Sequence, residues 1–217
     1  MAAQQPNQPY DLEEAIEHRR AFRALLGPAI DDATTSKLAQ AARLSPSANN
    51  AQPWRFVFVR DPQVLESFST HNALPDFNQW AYRGSMFVVV CGSQADDATV
   101  KVAHRSFTTA PDGSKILLER PLFLFDIGIA TGFMMLMATE LGLVAHPIAG
   151  FDEARVKQLL AIPDPEQVVA MLIVGVKNPD PEAIDELPKD LRQDERRRPP
   201  RKPVESFAFR DRYGAPL

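Results

Sequence analysis

SPSANNAQPWRFVFVR, residues 45–60, decides how this chain is read. Ser45 precedes a proline, and the clash with the proline ring pushes the preceding residue out of the helical region. A helix therefore ends at about Leu44. RFVFVR, 55–60, is rich in β-branched and aromatic residues and reads as a strand. Between helix and strand lies a polar turn, Ser47 to Asn50, closed by Gln52-Pro53-Trp54. If Trp54 and Phe56 anchor the join in a core, the polar turn is held out on a rigid frame.

Upstream, DLEEAIEHRRAFRALL (11–26) reads as a helix, with Leu12, Ala15, Ile16, Phe22, Leu25 and Leu26 recurring at helical spacing. Asp11, with Glu14 three residues on, forms a capping pair, and Gly27-Pro28 stops the helix. A second helix runs from about Asp32 to Leu44 with Leu38, Ala41 and Ala42 inward.

Downstream, Asp61-Pro62 opens a short helix, Asp as N-cap and Pro at the first position. MFVVVC (86–91) and QVVAMLIVGV (167–176) are continuous apolar runs, the pattern of strands covered on both faces. PLFLFDIGIATGFMMLMATEL (121–141) is an apolar helix long enough to cross a membrane. Asp126 and Glu140 interrupt it and no basic flanks frame it, so it reads as a core or subunit-interface helix. Gly128 and Gly132 would let another helix approach closely. HPIAG (146–150) follows a short strand and precedes a helix capped by Asp152. Residues 178–217 are rich in Pro, Asp, Glu and Arg and read as an arm lying across something else. The order is that of an α+β protein with a modest, mostly buried sheet.

Composition narrows the function. A hydrophobic fraction of 45% in 217 residues supports one sizeable core. A net charge of −4 argues against a dedicated nucleic-acid binder. Cys91 is the single cysteine, placed in a buried strand, and the four histidines have no metal-ligand spacing. MAAQQPNQPY has neither a basic nor an apolar segment of a signal peptide and reads as a disordered lead-in (1–10); a cytoplasmic protein without a membrane anchor is expected.

No phosphate-loop, dinucleotide, nucleophile-elbow or zinc motif is present. Arginine stands out instead. Arg19 and Arg23 in HRRAFR are four apart, so on a helix they would share a face, repel, and be relieved by an anion; a bidentate guanidinium pair suits phosphate. A solvated helix face is the alternative. RRRPPRK (196–202) is a second basic cluster, stiffened by its prolines. The turn at 146–150 could offer backbone N–H groups to a ligand or be an ordinary strand-to-helix loop.

In order and spacing, these pieces resemble the nitroreductase family of FMN-dependent oxidoreductases. The carriers are RRAFR (19–23), PSANNAQPW (46–54), NQWA (78–81), DIG (126–128), PIAGFD (147–152) and RKPVESF (201–207). The resemblance implies a central, mostly antiparallel sheet flanked by helices (11–177). It also implies a long core helix at a homodimer interface and an extended C-terminal arm (178–217). Two FMN sites would lie at that interface. Arg19, Arg20, Arg23 and Arg201, with Ala21 between them, would hold the FMN phosphate. Pro46, Ser47, Ala48 and Asn50 would come from the other subunit. Asn78 and the backbone of Ile148, Ala149 and Gly150 would face the flavin ring.

The implied activity is ping-pong reduction of nitroaromatics, quinones or related acceptors by NADH or NADPH, with the flavin rather than a side-chain acid/base pair carrying the chemistry. Reductive dehalogenation or FMN breakdown on the same scaffold is the nearest alternative. A non-enzymatic binding protein with a basic arm is the more distant one. Three alanines depart from the family pattern: Ala21 lacks a hydroxyl, Ala149 an acid and Ala81 a lysine. Trp80 to Gly84 and His104 to Glu119 are the segments expected to shape the acceptor pocket.

Overall fold

The run read as a two-faced strand is one: all seven residues of Met86–Gly92 are buried. The computed structural model describes residues 10–93, 106–118, 121–180 and 195–217. Its elements are α1 (Leu12–His18), β1 (Leu25–Leu26), α2 (Asp32–Arg43), β2 (Trp54–Val59), α3 (Pro62–Thr70), β3 (Met86–Gly92), β4 (Ser106–Thr109), β5 (Lys115–Leu118), α4 (Leu122–Glu140), β6 (Val144–Ile148), α5 (Glu153–Leu160) and β7 (Gln167–Lys177). The lead-in before Tyr10 and the stretch 181–194 of the arm lie outside the described residues, as do His104, Arg105 and Glu119.

β3 pairs antiparallel with β2 on one side and β7 on the other, from Trp54↔Gly92 to Val59↔Phe87 and from Met86↔Val174 to Gly92↔Gln167. β7 also pairs antiparallel with β6 and, at its end, with β1. The expected mostly antiparallel sheet is therefore present. Alternation along β3 splits the core in two. Phe87, Val89 and Cys91 pack with Phe22, Phe68, Trp80, Met171 and Ile173 on one face. Met86, Val88 and Val90 pack with Leu38, Trp54, Phe123, Ile127, Met134 and Leu172 on the other. Burial pushes the Cys91 thiol up to about 11, so it is a packed, inert group at neutral pH.

α4 buries Phe123, Ile127, Ala130, Met134 and Ala138 at helical spacing. It is long and apolar enough to cross a membrane, but that face is part of the core. The opposite face exposes Phe125 and Phe133. Among the described residues no neighbouring element comes within 4 Å of a Cβ added at Gly128 or Gly132, so neither glycine serves a close approach there.

The first helix is shorter than its periodicity suggests. α1 has the expected capping box, Asp11 and Glu14 exchanging both bonds, but it ends at His18, with Arg19 as C-cap at φ −56°, ψ 119°. Phe22, Ala24 and Leu25 are buried, and Leu25–Leu26 adds a short strand to β7. Tertiary packing thus overrides helix propensity from Arg19 on. Leu12 and Ile16, expected inward, are 68% and 55% exposed. They line an apolar groove of about 680 Å³ with Ala41, Leu44, Phe133 and Met137.

Candidate functional site

The turn after α2 is built to be rigid. Asn49, Asn50 and Gln52 have φ of 49°, 57° and 48°, a left-handed conformation that asparagine adopts at lower cost than most residues. The Gln52 N–H donates to Ser47 Oγ at 3.0 Å, the Asn50 N–H to Ser47 O at 3.0 Å, and the Ala48 N–H to Asp126 Oδ2 at 3.2 Å. Asp126 is 3% exposed, so the acid that interrupts the apolar α4 is there to cap this turn from a distance. Asp126→Ala is expected to cost about 1 kcal/mol of stability, read by urea denaturation, because it strands one backbone donor. Pro46, Ser47 and Ala48 line a shallow cavity of about 350 Å³ with Leu122, Phe125 and Ile129. Among the described residues no hydrogen bond joins this turn to the arginine loop or to Asn78 and Gly150.

Asn78 and Gly150 do meet. Asn78, 7% exposed, donates from Nδ2 to Gly150 O at 2.8 Å, and the Asp152 N–H donates to Ala73 O at 2.8 Å. These bonds fix the turn between β6 and α5. Gly150 leaves room for both neighbours, since a Cβ would lie 2.9 Å from the exposed Phe77 ring and 3.0 Å from Asn78 Nδ2 and would make them shift. Ile148 is buried, Ala149 is exposed, and the Phe77 ring beside them is 67% exposed. Phe77 carries no motif, and only the exposed ring beside the turn identifies it. Trp80 and Ala81, expected near the acceptor pocket, are 2% and 0% exposed and belong to the core.

The arginines lie on an irregular loop, not on one helix face, and each is held differently. Arg20 donates to Arg197 O at 2.9 Å and lies over the Phe22 ring at 4.5 Å. Arg23 reaches Glu195 at 3.9 Å. Ala21 is exposed. Burial, then Arg201 and Arg198, hold the Arg19 guanidinium below its ordinary value. No carboxylate of the described residues pairs with Arg19, Arg198 or Arg201. The bond from Arg20 to Arg197 O holds the arm against this loop, with Arg198 the next residue along.

His146 on β6 supports this loop. It is 7% exposed, donates from Nδ1 to Phe22 O at 3.0 Å, and packs against Trp80 with ring centroids 4.6 Å apart. Burial is the main cause that lowers its pKa to about 4. Arg23 and Arg19 push the same way against the opposing bond to Phe22. No group of His, Cys, Asp and Glu among the described residues could hold a metal.

A two-faced antiparallel sheet and a long apolar helix define an α+β protein, with arginines of the loop after α1 and of the C-terminal arm gathered on its surface. The nitroreductase-family profile matches residues 16–176. The chain belongs to the nitroreductase family and is an oxidoreductase of that family. It is 30% identical to an Archaeoglobus fulgidus protein provisionally named NADH dehydrogenase/NAD(P)H nitroreductase, over 76% of this chain and 83% of that one. It is 26% identical to an NADH dehydrogenase of Thermus thermophilus, over 76% and 86% respectively. A crystal structure of an FMN-containing oxidoreductase superposes with a TM-score of 0.70 at 28% identity, covering 99% of this chain and 100% of that chain.

Proposed function

We propose that this chain is an FMN-dependent oxidoreductase that uses NADH or NADPH to reduce nitroaromatics, quinones or related acceptors. The observation that carries the reading is the arm lying against the arginine loop, tied by Arg20 to Arg197 O and by Arg23 N and Ala24 N to Glu195, which gathers arginines from opposite ends of the chain. Like charges gathered at a cost fit a phosphate dianion. Arg19, Arg20, Arg23 and Arg201 hold that phosphate, joined by Arg198. Ala21 supplies no hydroxyl.

FMN, when bound, supplies reversible two-electron transfer between NAD(P)H and the acceptor. Asn78 fixes the Ile148–Gly150 turn, so that a backbone N–H there can face the ring edge. The Phe77 ring offers an apolar neighbour to an aromatic acceptor.

The active form is a homodimer, with an 11–177 body and a 178–217 arm that completes the site. Pro46, Ser47, Ala48 and Asn50 of one protomer reach the cofactor of its partner. Two features support this reading. One is the groove around exposed Leu12, Ile16, Leu44 and Phe133. The other is the open space at Gly128 and Gly132. We assign the enzyme to the cytoplasm.

Family membership decides for an oxidoreductase over a non-enzymatic binder with a basic arm. Reductive dehalogenation remains the second reading. The chain is 24% identical to an iodotyrosine deiodinase of Haliscomenobacter hydrossis, over 74% of this chain and 76% of that one. Anaerobic NADH and NADPH oxidation with a nitroarene, a quinone, iodotyrosine and free FMN separates the readings. Turnover of the first two is expected; deiodination or FMN loss alone would replace the proposal.

A further inference from the structure

The arm sequence DERRR, 194–198, looks like a solvated charge run, yet it contains a buried acid. Glu195 is 4% exposed while Arg196 to Arg201 are exposed. Its carboxylate is spent on backbone rather than on the adjacent arginines. It accepts from Arg23 N at 3.0 and 3.1 Å and from Ala24 N at 3.2 Å. Arg23's guanidinium stands farther off, at 3.9 Å. Arg20's bond to Arg197 O makes a second tie between the same two segments. From the other side, His146 on β6 holds the Phe22 carbonyl. The arginine loop is thus clamped between the sheet and the arm. The arm's clamp point lies three residues before Arg198 and six before Arg201.

We propose that Glu195 is a positioning residue of the phosphate site: its buried carboxylate latches the C-terminal arm to the arginine loop and so sets Arg198 and Arg201 beside Arg19. The inference rests on the phosphate reading above. Charge and geometry make opposite demands. A negative charge near an anion site opposes anion binding. A purely electrostatic role therefore predicts tighter FMN binding when Glu195 is neutralised. A latch predicts that what matters is an acceptor at the reach of Arg23 N and Ala24 N.

The test is titration of flavin-free protein with FMN and with riboflavin, which lacks the phosphate. Glu195→Ala is expected to weaken FMN binding about tenfold or more while riboflavin binding stays within about twofold. Glu195→Asp keeps the charge but draws the acceptor back by one methylene, and it should lose affinity in the same sense. Glu195→Gln loses the charge but keeps one acceptor oxygen, enough for the Arg23 and Ala24 N–H groups that share Oε2, and should hold FMN far better than Glu195→Ala does. The Asp and Gln pair decides the matter even if Glu195→Ala fails to fold.

FMN binding that tightens in Glu195→Gln and is unchanged in Glu195→Asp would overturn the latch. So would equal losses of FMN and riboflavin affinity, which mark general damage. Wild-type protein that prefers FMN, with all variants keeping that preference, sinks the latch alone. Wild-type protein with no preference for FMN sinks the phosphate reading and the latch with it.

Discussion

Replacing Arg19 by alanine is expected to weaken FMN binding by about one to two orders of magnitude. A charge-assisted hydrogen bond contributes about 1.5–3 kcal/mol, and each 1.4 kcal/mol is tenfold in affinity. Arg19 is the central member of the cluster, half-buried and pressed by Arg201 and Arg198. The ligand-free protein should lose no stability from the change, because the substitution removes a cation from like neighbours. Riboflavin affinity should hardly move. Arg201→Ala should act in the same direction by a similar amount. Retention of full FMN affinity in both variants would refute the phosphate assignment, whatever their activity.

Acid should destabilise the fold through His146 by an amount on the order of 3 kcal/mol. Its pKa falls from 6.5 to about 4 in the fold, chiefly through burial. The fold therefore holds this imidazole neutral, while the unfolded chain takes up a proton below pH 6.5. The native contribution is intact above about pH 6.5. It is lost progressively as pH falls towards 4, and changes little below that, where both states are protonated. Urea denaturation of wild type and His146→Gln between pH 7 and 4 isolates this part from the carboxylates. The wild type should lose more stability over that interval than the variant. Parallel curves would show that His146 does not titrate as its burial requires.

The parts of the fold legible in the sequence are those whose local pattern and tertiary setting agree. Strands β3 and β7 are covered on both faces, so their composition alone marks them. Helices α3 and α5 begin at Asp61-Pro62 and Asp152, where caps are local signals, and the structure has both caps. The helix at 11–26 is over-read because Phe22 and Leu25 continue an apolar period that serves β1 and the core instead. The carboxylate that takes the Arg23 and Ala24 N–H groups lies 172 and 171 residues away, and no local pattern can announce it. The β4–β5 hairpin is flagged only by Pro111-Asp112-Gly113 between two short runs, with Gly113 at φ 84°.

The candidate site divides in the same way. Asn78 and Gly150, 72 residues apart in the chain, are joined by one hydrogen bond. The polar turn 47–50 owes its two asparagines to left-handed backbone, which a composition cannot distinguish from a ligand contact. Arg198, Glu195 and His146 are visible only once the arm and β6 are folded against the arginine loop. Asp126 reads in sequence as an interruption of an apolar helix; its role as a cap for Ala48 depends on a contact 78 residues away.

The visible absorption spectrum of the purified chain, before and after reconstitution with FMN, tests the central claim most directly. A bound flavin spectrum is predicted, bleached anaerobically by NADH or NADPH and restored by an acceptor, with FMN released on denaturation. A colourless protein that takes up no FMN would contradict the account.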